Sequence, residues 1–535
     1  MMSSGSELNL EKDRVMEQME TKRPNRVAGW LGTHWLTIVI SAVAAVAGLG
    51  TVFAWSASSP AGSSPDEDFH IASIWCPTPL GRFCDTQTEA DGEVDVSIPM
   101  QAAYAACYAF QPDTSGWCTL QIADGSFYTP RVDNGLYPGG FYDVMHTMTG
   151  PDVYTSIIVM RVVNGILAIL LFGALALVLP RSGQRLMAYA TLPVCIPMMI
   201  YVVCSINPSG WAVTGVATAW FGMYAFFAAT SKPRLIASGL IALVGAAMGS
   251  MARTDAGAYL MLGAVAMTIL SFPAIRAKLW KAALPAAVLV IGVIGFFSGG
   301  QGGVLSGGMD MGSGMRGTKA LLESNVLNLP HLLIDYTAGF IGLNWVDTVM
   351  PPLVWVTVAG LSLALLFRGL KSVNLRKFLA FAGLAGAYVC LPLYILQMGG
   401  DAVGSNVQPR YFVPLVPLVM AAAMWRPKKG GASSLSMLQT LILYASLVIA
   451  HAIALHVQIR RFVTGLDANW FNLNVRAEWW HAGPSPMATW WIGSVGFAVL
   501  ALLLFRVRRD RTTVSETEVV PETKVLTEIE VPEAA

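Results

Sequence analysis

The stretch at residues 34–70, HWLTIVISAVAAVAGLGTVFAWSASSPAGSSPDEDFH, decides the fold class. Its first part, 34–56, carries no Asp, Glu, Lys or Arg, and at 1.5 Å per residue it is long enough to cross the hydrocarbon core of a bilayer as a helix. Its second part leaves the membrane through Ser, Pro and Gly and ends on three consecutive acids and a histidine. One apolar crossing followed by a polar, chemically equipped exit is the pattern from which the rest is read.

Comparable apolar runs recur near 154–179, 186–204, 210–230, 234–252, 256–274, 282–299, 351–367, 378–397, 410–425, 433–456 and 486–505, so the expected fold is an all-α polytopic membrane protein of about twelve spans. Composition agrees: 54% of the 535 residues are hydrophobic, 13% are charged, and the mean hydropathy is +0.55. These values exclude an ordinary soluble globular protein. Lipid admits only helices or closed barrels, and these runs have helical length.

The formal net charge of +1 hides an asymmetry. Bases cluster in short connections, at Arg181 and Arg185, Lys232 and Arg234, Arg276 to Lys281, Arg368 to Lys377, Arg426 to Lys429 and Arg506 to Arg511. By the excess of positive charge on the cytoplasmic side, all of these lie inside, as do both termini. The resulting expectation is a multi-pass protein of the bacterial inner membrane, in which the bilayer is the surrounding partner and nucleic acid is not one. The polar stretch before the first run has no cleavage signature, so that run is read as a retained anchor.

The chain then divides into a cytoplasmic tail at 1–33, a membrane domain at 34–505 and a disordered acidic cytoplasmic tail at 506–535. Within the membrane domain, 57–153 is the largest extracytoplasmic piece, and in it acids outnumber bases thirteen to two. Runs of Gly, Pro, Ser and Asp suggest a loop-rich folded cap with short helices. Smaller outer segments at 300–350 and 457–485 are Gly- and Met-rich in one case and bear Trp479 and Trp480 in the other.

Four of the seven cysteines, Cys76, Cys84, Cys107 and Cys118, fall in the cap. An even number in an exported segment suggests two disulfides, most simply Cys76 with Cys84 and Cys107 with Cys118, although three pairings are open. The spacing does not match the ligand hairpins of structural zinc.

The chemistry is concentrated in Ser64-Pro65-Asp66-Glu67-Asp68-Phe69-His70. If a helix follows Pro65, Asp66 and His70 share a face and can address one substrate, or one divalent cation if the site uses one, while Glu67 points elsewhere in a supporting role. The competing structural interpretation is Ser64 as a cap, with the acids favouring the positive end of a helix. Three arginines, Arg161 inside a span, Arg253 and Arg410, lie toward the outer half of the membrane, and Arg161 invites a functional reading because a charge inside a span is costly. Their structural alternatives are a buried ion pair for Arg161, a mutual pair with Asp255 for Arg253 and interfacial snorkelling beside Tyr411 for Arg410. His451 and His456 are off the spacing of a helical metal pair and are left outside the site.

The Pro-Asp-Glu-x-x-His element directly after the first span, Asn207-Pro208 in SINPSGW, and Gln408-Pro409-Arg410-Tyr411-Phe412-Val413-Pro414 together resemble, in order, the signatures of domain-of-unknown-function family 2142, bacterial multipass proteins related to the GT-C glycosyltransferases. The resemblance spans about residues 30 to 505. It departs at Ser209, where the family usually carries an acid, and in the enlarged cysteine-bearing loop. It implies a glycosyltransferase that moves a sugar from a polyprenyl-phosphate donor to an envelope glycan, lipid or protein acceptor. In that reading Asp66 is base or metal ligand, with Glu67 and His70 beside it; Arg410, Arg253 and Arg161 hold the donor phosphate, and Asn207 and Asp255 contact substrate. A flippase of lipid-linked saccharide is the alternative from another class, for which inverted repeats are expected and not seen. A noncatalytic envelope scaffold is the third.

Overall fold

The computed structural model describes residues 26–505 apart from 91, 304–315, 428–429, 469 and 482. The terminal stretches through 25 and from 506 onward, where most of the two expected tails fall, and the centre of the Gly- and Met-rich segment lie outside these residues.

The chain is an α-helical membrane protein. Among the described residues, ten helices are long and apolar enough to cross a bilayer, or eleven counting one bent pair. The elements that position the site are α1 (Arg26–Ser56), α2 (Glu67–Trp75), α3 (Gly140–His146), α4 (Val153–Val178), α5 (Pro208–Ala228), α6 (Lys232–Ser250), α7 (Thr254–Ala277) and α8 (Ala283–Phe296). They continue with α9 (Lys319–Ile334), α10 (Pro352–Gly369), α11 (Leu375–Gly399), α12 (Val416–Met424), α13 (Met437–Val463) and α14 (Pro486–Phe505).

Two of the twelve expected spans are corrected, and proline is the reason in both. The run at 186–204 is split into Arg181–Thr191 and Cys195–Val203, bent by 82°, because Pro193 and Pro197 each remove a backbone donor. The run at 410–425 begins as 3-10 turns at Pro409–Tyr411 and Val413–Leu415 before α12, since Pro409, Pro414 and Pro417 interrupt the ladder. What remains of it is too short to qualify as a span by itself.

Helix α5 runs through the interior of the bundle and is almost wholly buried, whereas each of the other spans is buried over less than half of its length. Small residues let it sit against α6: a Cβ on Gly215 would fall 2.5 Å from the Gly245 carbonyl oxygen, and one on Gly222 would fall 2.8 Å from Ala242. With no hydrophobic force between helices inside lipid, this close backbone packing is what holds the pair.

The cap between α1 and α4 contains more than short helices. Strands β1 (Thr86–Thr88), β2 (Val94–Pro99) and β3 (Ser126–Thr129) form an antiparallel sheet in the order β1-β2-β3, with Val96 opposite both Thr86 and Thr129. Val96 and Ile98, two residues apart on one face, are buried with Ile71, Phe141 and Met145 in the cap core. Disulfides Cys76–Cys84 and Cys107–Cys118 close it, the sequential pairing. The first ties the end of α2 to the approach to β1.

Candidate functional site

Asp66 is the residue from which α2 starts, yet its side chain makes no capping bond. Its backbone is left-handed, with φ 60°, a conformation that aspartate tolerates better than most residues. Capping is what an aspartate in this place ordinarily does; here the carboxylate is turned away from the helix and toward two arginines. Oδ2 accepts from Arg410 Nη2 at 2.6 Å, and Oδ1 from Arg131 Nη2 at 3.3 Å. Arg131 also pairs with Asp68.

Arg410 holds the same element a second time, donating from Nη1 to the Pro65 carbonyl at 2.7 Å. Asn207 donates to that carbonyl too, from Nδ2 at 3.2 Å, while its Oδ1 accepts from Ser209 N and so caps α5, where Pro208 occupies the first turn. The three short motifs noted in the sequence therefore meet at one peptide group. They arrive from the ends of α1, α5 and α12.

Glu67 faces the other way. It is fully buried and accepts from Arg161 at 2.9 Å, from Ser64 N at 3.0 Å and from Ile206 N at 2.8 Å. Arg161 spends its remaining donors on the Ser56, Ser59 and Pro60 carbonyls and on Ser63 Oγ. This pair welds the turn after α1 to α4. Its guanidinium is committed to internal partners and lies apart from the Asp66 cluster.

His70 is fully buried, its Nδ1 2.9 Å from the Tyr142 hydroxyl, with Nε2 lacking any partner among the described residues. Its ring stands edge-on to Tyr137 at 5.2 Å. Burial, reinforced by Arg410, Arg253 and Arg131 against the pull of Asp66, holds the imidazole well below the usual histidine range, so it is neutral at pH 7. For Asp66, burial alone would raise the pKa, but the Arg410 and Arg131 guanidinium groups outweigh it and lower it.

Arg253, at the start of α7, forks onto Asp255 at 2.7–3.1 Å, which is the mutual pair weighed from the sequence. It also lies over the rings of Tyr411 at 4.9 Å and Tyr137 at 5.6 Å. Arg410 shares the Tyr411 ring at 5.2 Å, and Tyr259 of α7 donates to the Tyr411 carbonyl at 2.9 Å. Arg253 and Arg410 are thus neighbours across one aromatic ring, with Asp66 and His70 behind. Arg410 Nε is buried without a partner among the described residues.

Arg131, Tyr137 and Tyr142 were not singled out in the sequence. The available signal was slight: Arg131 is one of only two bases in the acidic cap. His451 accepts from Trp55 Nε1 at 2.9 Å and stacks on Phe497 at 4.0 Å; His456 bonds the Phe471 carbonyl.

As a divalent-metal site the cluster fits poorly. Asp66 and His70 supply two donors in the presence of three guanidinium groups, whose repulsion toward a dication is severe in a half-buried setting, and no group of three or more His, Cys, Asp or Glu among the described residues is placed to add ligands. The arrangement suits an anion instead. Arginine forks, an unpartnered donor and aromatic walls are what a phosphate ester with an attached organic group requires.

No curated protein and no solved structure matches the chain. A family model described as a predicted membrane protein matches residues 49–419, a range that contains all three converging motifs. The chain belongs to that family, the predicted membrane proteins of domain of unknown function 2142.

Proposed function

We propose that the chain is a glycosyltransferase that takes a sugar from a polyprenyl-phosphate donor and passes it to a cell-envelope glycan, lipid or protein on the outer face of the bacterial inner membrane. The observation that carries this reading is the placing of the Asp66 carboxylate against Arg410, with Arg253 across the Tyr411 ring. A carboxylate and two guanidinium groups close together at the cap-side ends of membrane helices support the reading, because a lipid-linked donor has its head at that level.

The chemistry follows from these groups. Arg410 and Arg253 receive the donor phosphate, neutralising the charge that develops as the bond from the anomeric carbon to the phosphate oxygen breaks. The electron pair leaves with the polyprenyl phosphate. The acceptor hydroxyl oxygen bonds to the anomeric carbon, and its proton goes to Asp66. A carboxylate clamped by Arg410 is a weak base, so the phosphate has a second role: drawing Arg410 toward itself loosens the clamp and raises the basicity of Asp66 only when donor is bound. Neutral His70, whose buried Nε2 has no partner among the described residues, is assigned a hydrogen bond from substrate. Arg161 is assigned no part in donor binding, and Asn207 acts by fixing Pro65. Asp255 aims Arg253.

The test is transfer of radiolabelled sugar from polyprenyl-phosphate donors by membranes containing equal amounts of wild-type protein or Asp66→Asn, with and without chelator. Loss of transfer in the variant alone, insensitive to chelator, is expected. Equal transfer by both proteins would remove Asp66 from the mechanism, and no transfer from any donor would return the choice to flippase or scaffold.

A further inference from the structure

A cavity of about 340 Å³ lies between the cap-side ends of α1 and α4, and Asp66, His70, Arg253 and Arg410 do not line it. Phe53, Pro60, Val159 and Trp479 form apolar wall, and Asp152 and His481 are among its polar lining. Its volume is at the lower end for small-molecule sites.

The apolar wall opens toward exposed helix surface. Val159 is 43% exposed and stands on the same stripe of α4 as Leu170 and Leu177, which are 61% and 72% exposed; steps of 11 and 18 residues return a helix to within about 20° of its starting direction. On α1, Phe53 is one turn beyond Leu49 and two beyond Val46, both on the exposed surface. The cavity wall therefore continues the lipid-facing surfaces of two helices. The polar groups gather at the other end: Asp152 caps α4, and His481 stacks on Tyr154 at 4.7 Å. An apolar slot crowned by polar groups at the membrane boundary matches one lipid chain and its head.

Charge selects the head. The lining contains the carboxylate of Asp152 and neither Lys nor Arg. A polyprenyl phosphate would bring a dianion to a carboxylate without a cation to receive it. An ammonium group reverses that sign. Trp479, buried in the wall, leaves its indole N–H without a partner among the described residues.

We propose that this cavity is a binding site for one amine-bearing zwitterionic phospholipid of the phosphatidylethanolamine class, held by its ammonium on Asp152, with an acyl chain along Phe53 and Val159. It is separate from any donor site and does not rest on the proposed transfer reaction.

The experiment is quantification, by mass spectrometry, of lipids retained by the full-length protein purified in mild detergent, compared with the membranes of origin. Wild type is expected to retain phosphatidylethanolamine several-fold enriched over phosphatidylglycerol. Asp152→Asn, which keeps the cap of α4 while removing the charge, is expected to lose the enrichment, and Asp152→Lys to turn it toward the anionic lipid. Retained lipid that mirrors the membrane, retention of a polyprenyl phosphate that Asp152→Asn releases, or an ethanolamine enrichment that survives both substitutions would each overturn the proposal.

Discussion

Arg410 Nη2 lies 2.6 Å from the carboxylate of Asp66, although 344 residues of chain separate the two, and Nη1 of the same guanidinium lies 2.7 Å from the Pro65 carbonyl. A planar fork can serve both acceptors at once; a lysine ammonium, a point donor on a flexible stem, loses that geometry. Arg410→Lys is therefore expected to keep the charge and still lose about 100- to 1,000-fold in sugar transfer, comparable to removing one oriented transition-state donor. Transfer assays on membranes with matched expression check this. Wild-type rates in the lysine variant would mean that charge alone suffices at this position.

The acid side of the stability curve reports on the same cluster. Because the folded pKa of Asp66 is depressed, its ionised form stabilises the protein above the unfolded value, and that contribution is lost as pH falls through the lower folded value. Arg131 is one of the cations responsible. Arg131→Gln is expected to raise the Asp66 pKa back toward the ordinary aspartate value and so move the acid limb of the thermal-unfolding profile to higher pH. Superimposable limbs for the two proteins would show that Arg131 does not act on Asp66.

The sequence carried the membrane architecture and the members of the cluster that sit in short motifs. Apolar runs are a strong signal in any chain because lipid tolerates so few alternatives, and Asp66, Asn207 and Arg410 are legible because each stands at a helix end marked by proline. Their mutual contact was not legible, since nothing in the local pattern says that the peptide after Ser64 is grasped from 345 residues away. Arg131 was invisible for a similar reason: it enters from a cap loop after β3, and its role depends on a tertiary path. The two shortened spans were misjudged because hydropathy counts proline among apolar neighbours without registering the hydrogen bonds that it removes.

Glu67 and Arg161 offer a sharper test of the distinction between support and chemistry. Both are fully buried, and removing either one leaves a charge in low dielectric. Glu67→Leu or Arg161→Met alone is expected to cost about 3–5 kcal/mol in unfolding free energy. The double variant, in which no charge is stranded, is expected to be less destabilised than the sum of the single ones. Thermal and denaturant unfolding in detergent measure this, and strict additivity would deny the coupling. Transfer by whatever folded double variant is recovered should fall far less than in Arg410→Lys, because Arg161 is committed to the turn after α1 and not to the phosphate.

The disulfides bear on which side of the membrane the cap occupies. Cys76–Cys84 and Cys107–Cys118 close spans of 8 and 11 residues, and closures of this size contribute about 2–3 kcal/mol each by restricting the unfolded chain. They persist only where the compartment is oxidising. Cys195 and Cys204 are inside the helical bundle, and Cys390 lies on α11, so the cap thiols can be followed separately in a variant that lacks those three. In intact spheroplasts, a membrane-impermeant maleimide is expected to leave the cap unlabelled until an impermeant reductant is added, and then to label Cys84, Cys107 and Cys118, whereas Cys76 is buried. Labelling that requires permeabilised membranes would place the cap in the cytoplasm. It would overturn both the orientation and a transfer reaction on the outer face, because Asp66, the proposed base, and the arginines beside it would then face the wrong leaflet.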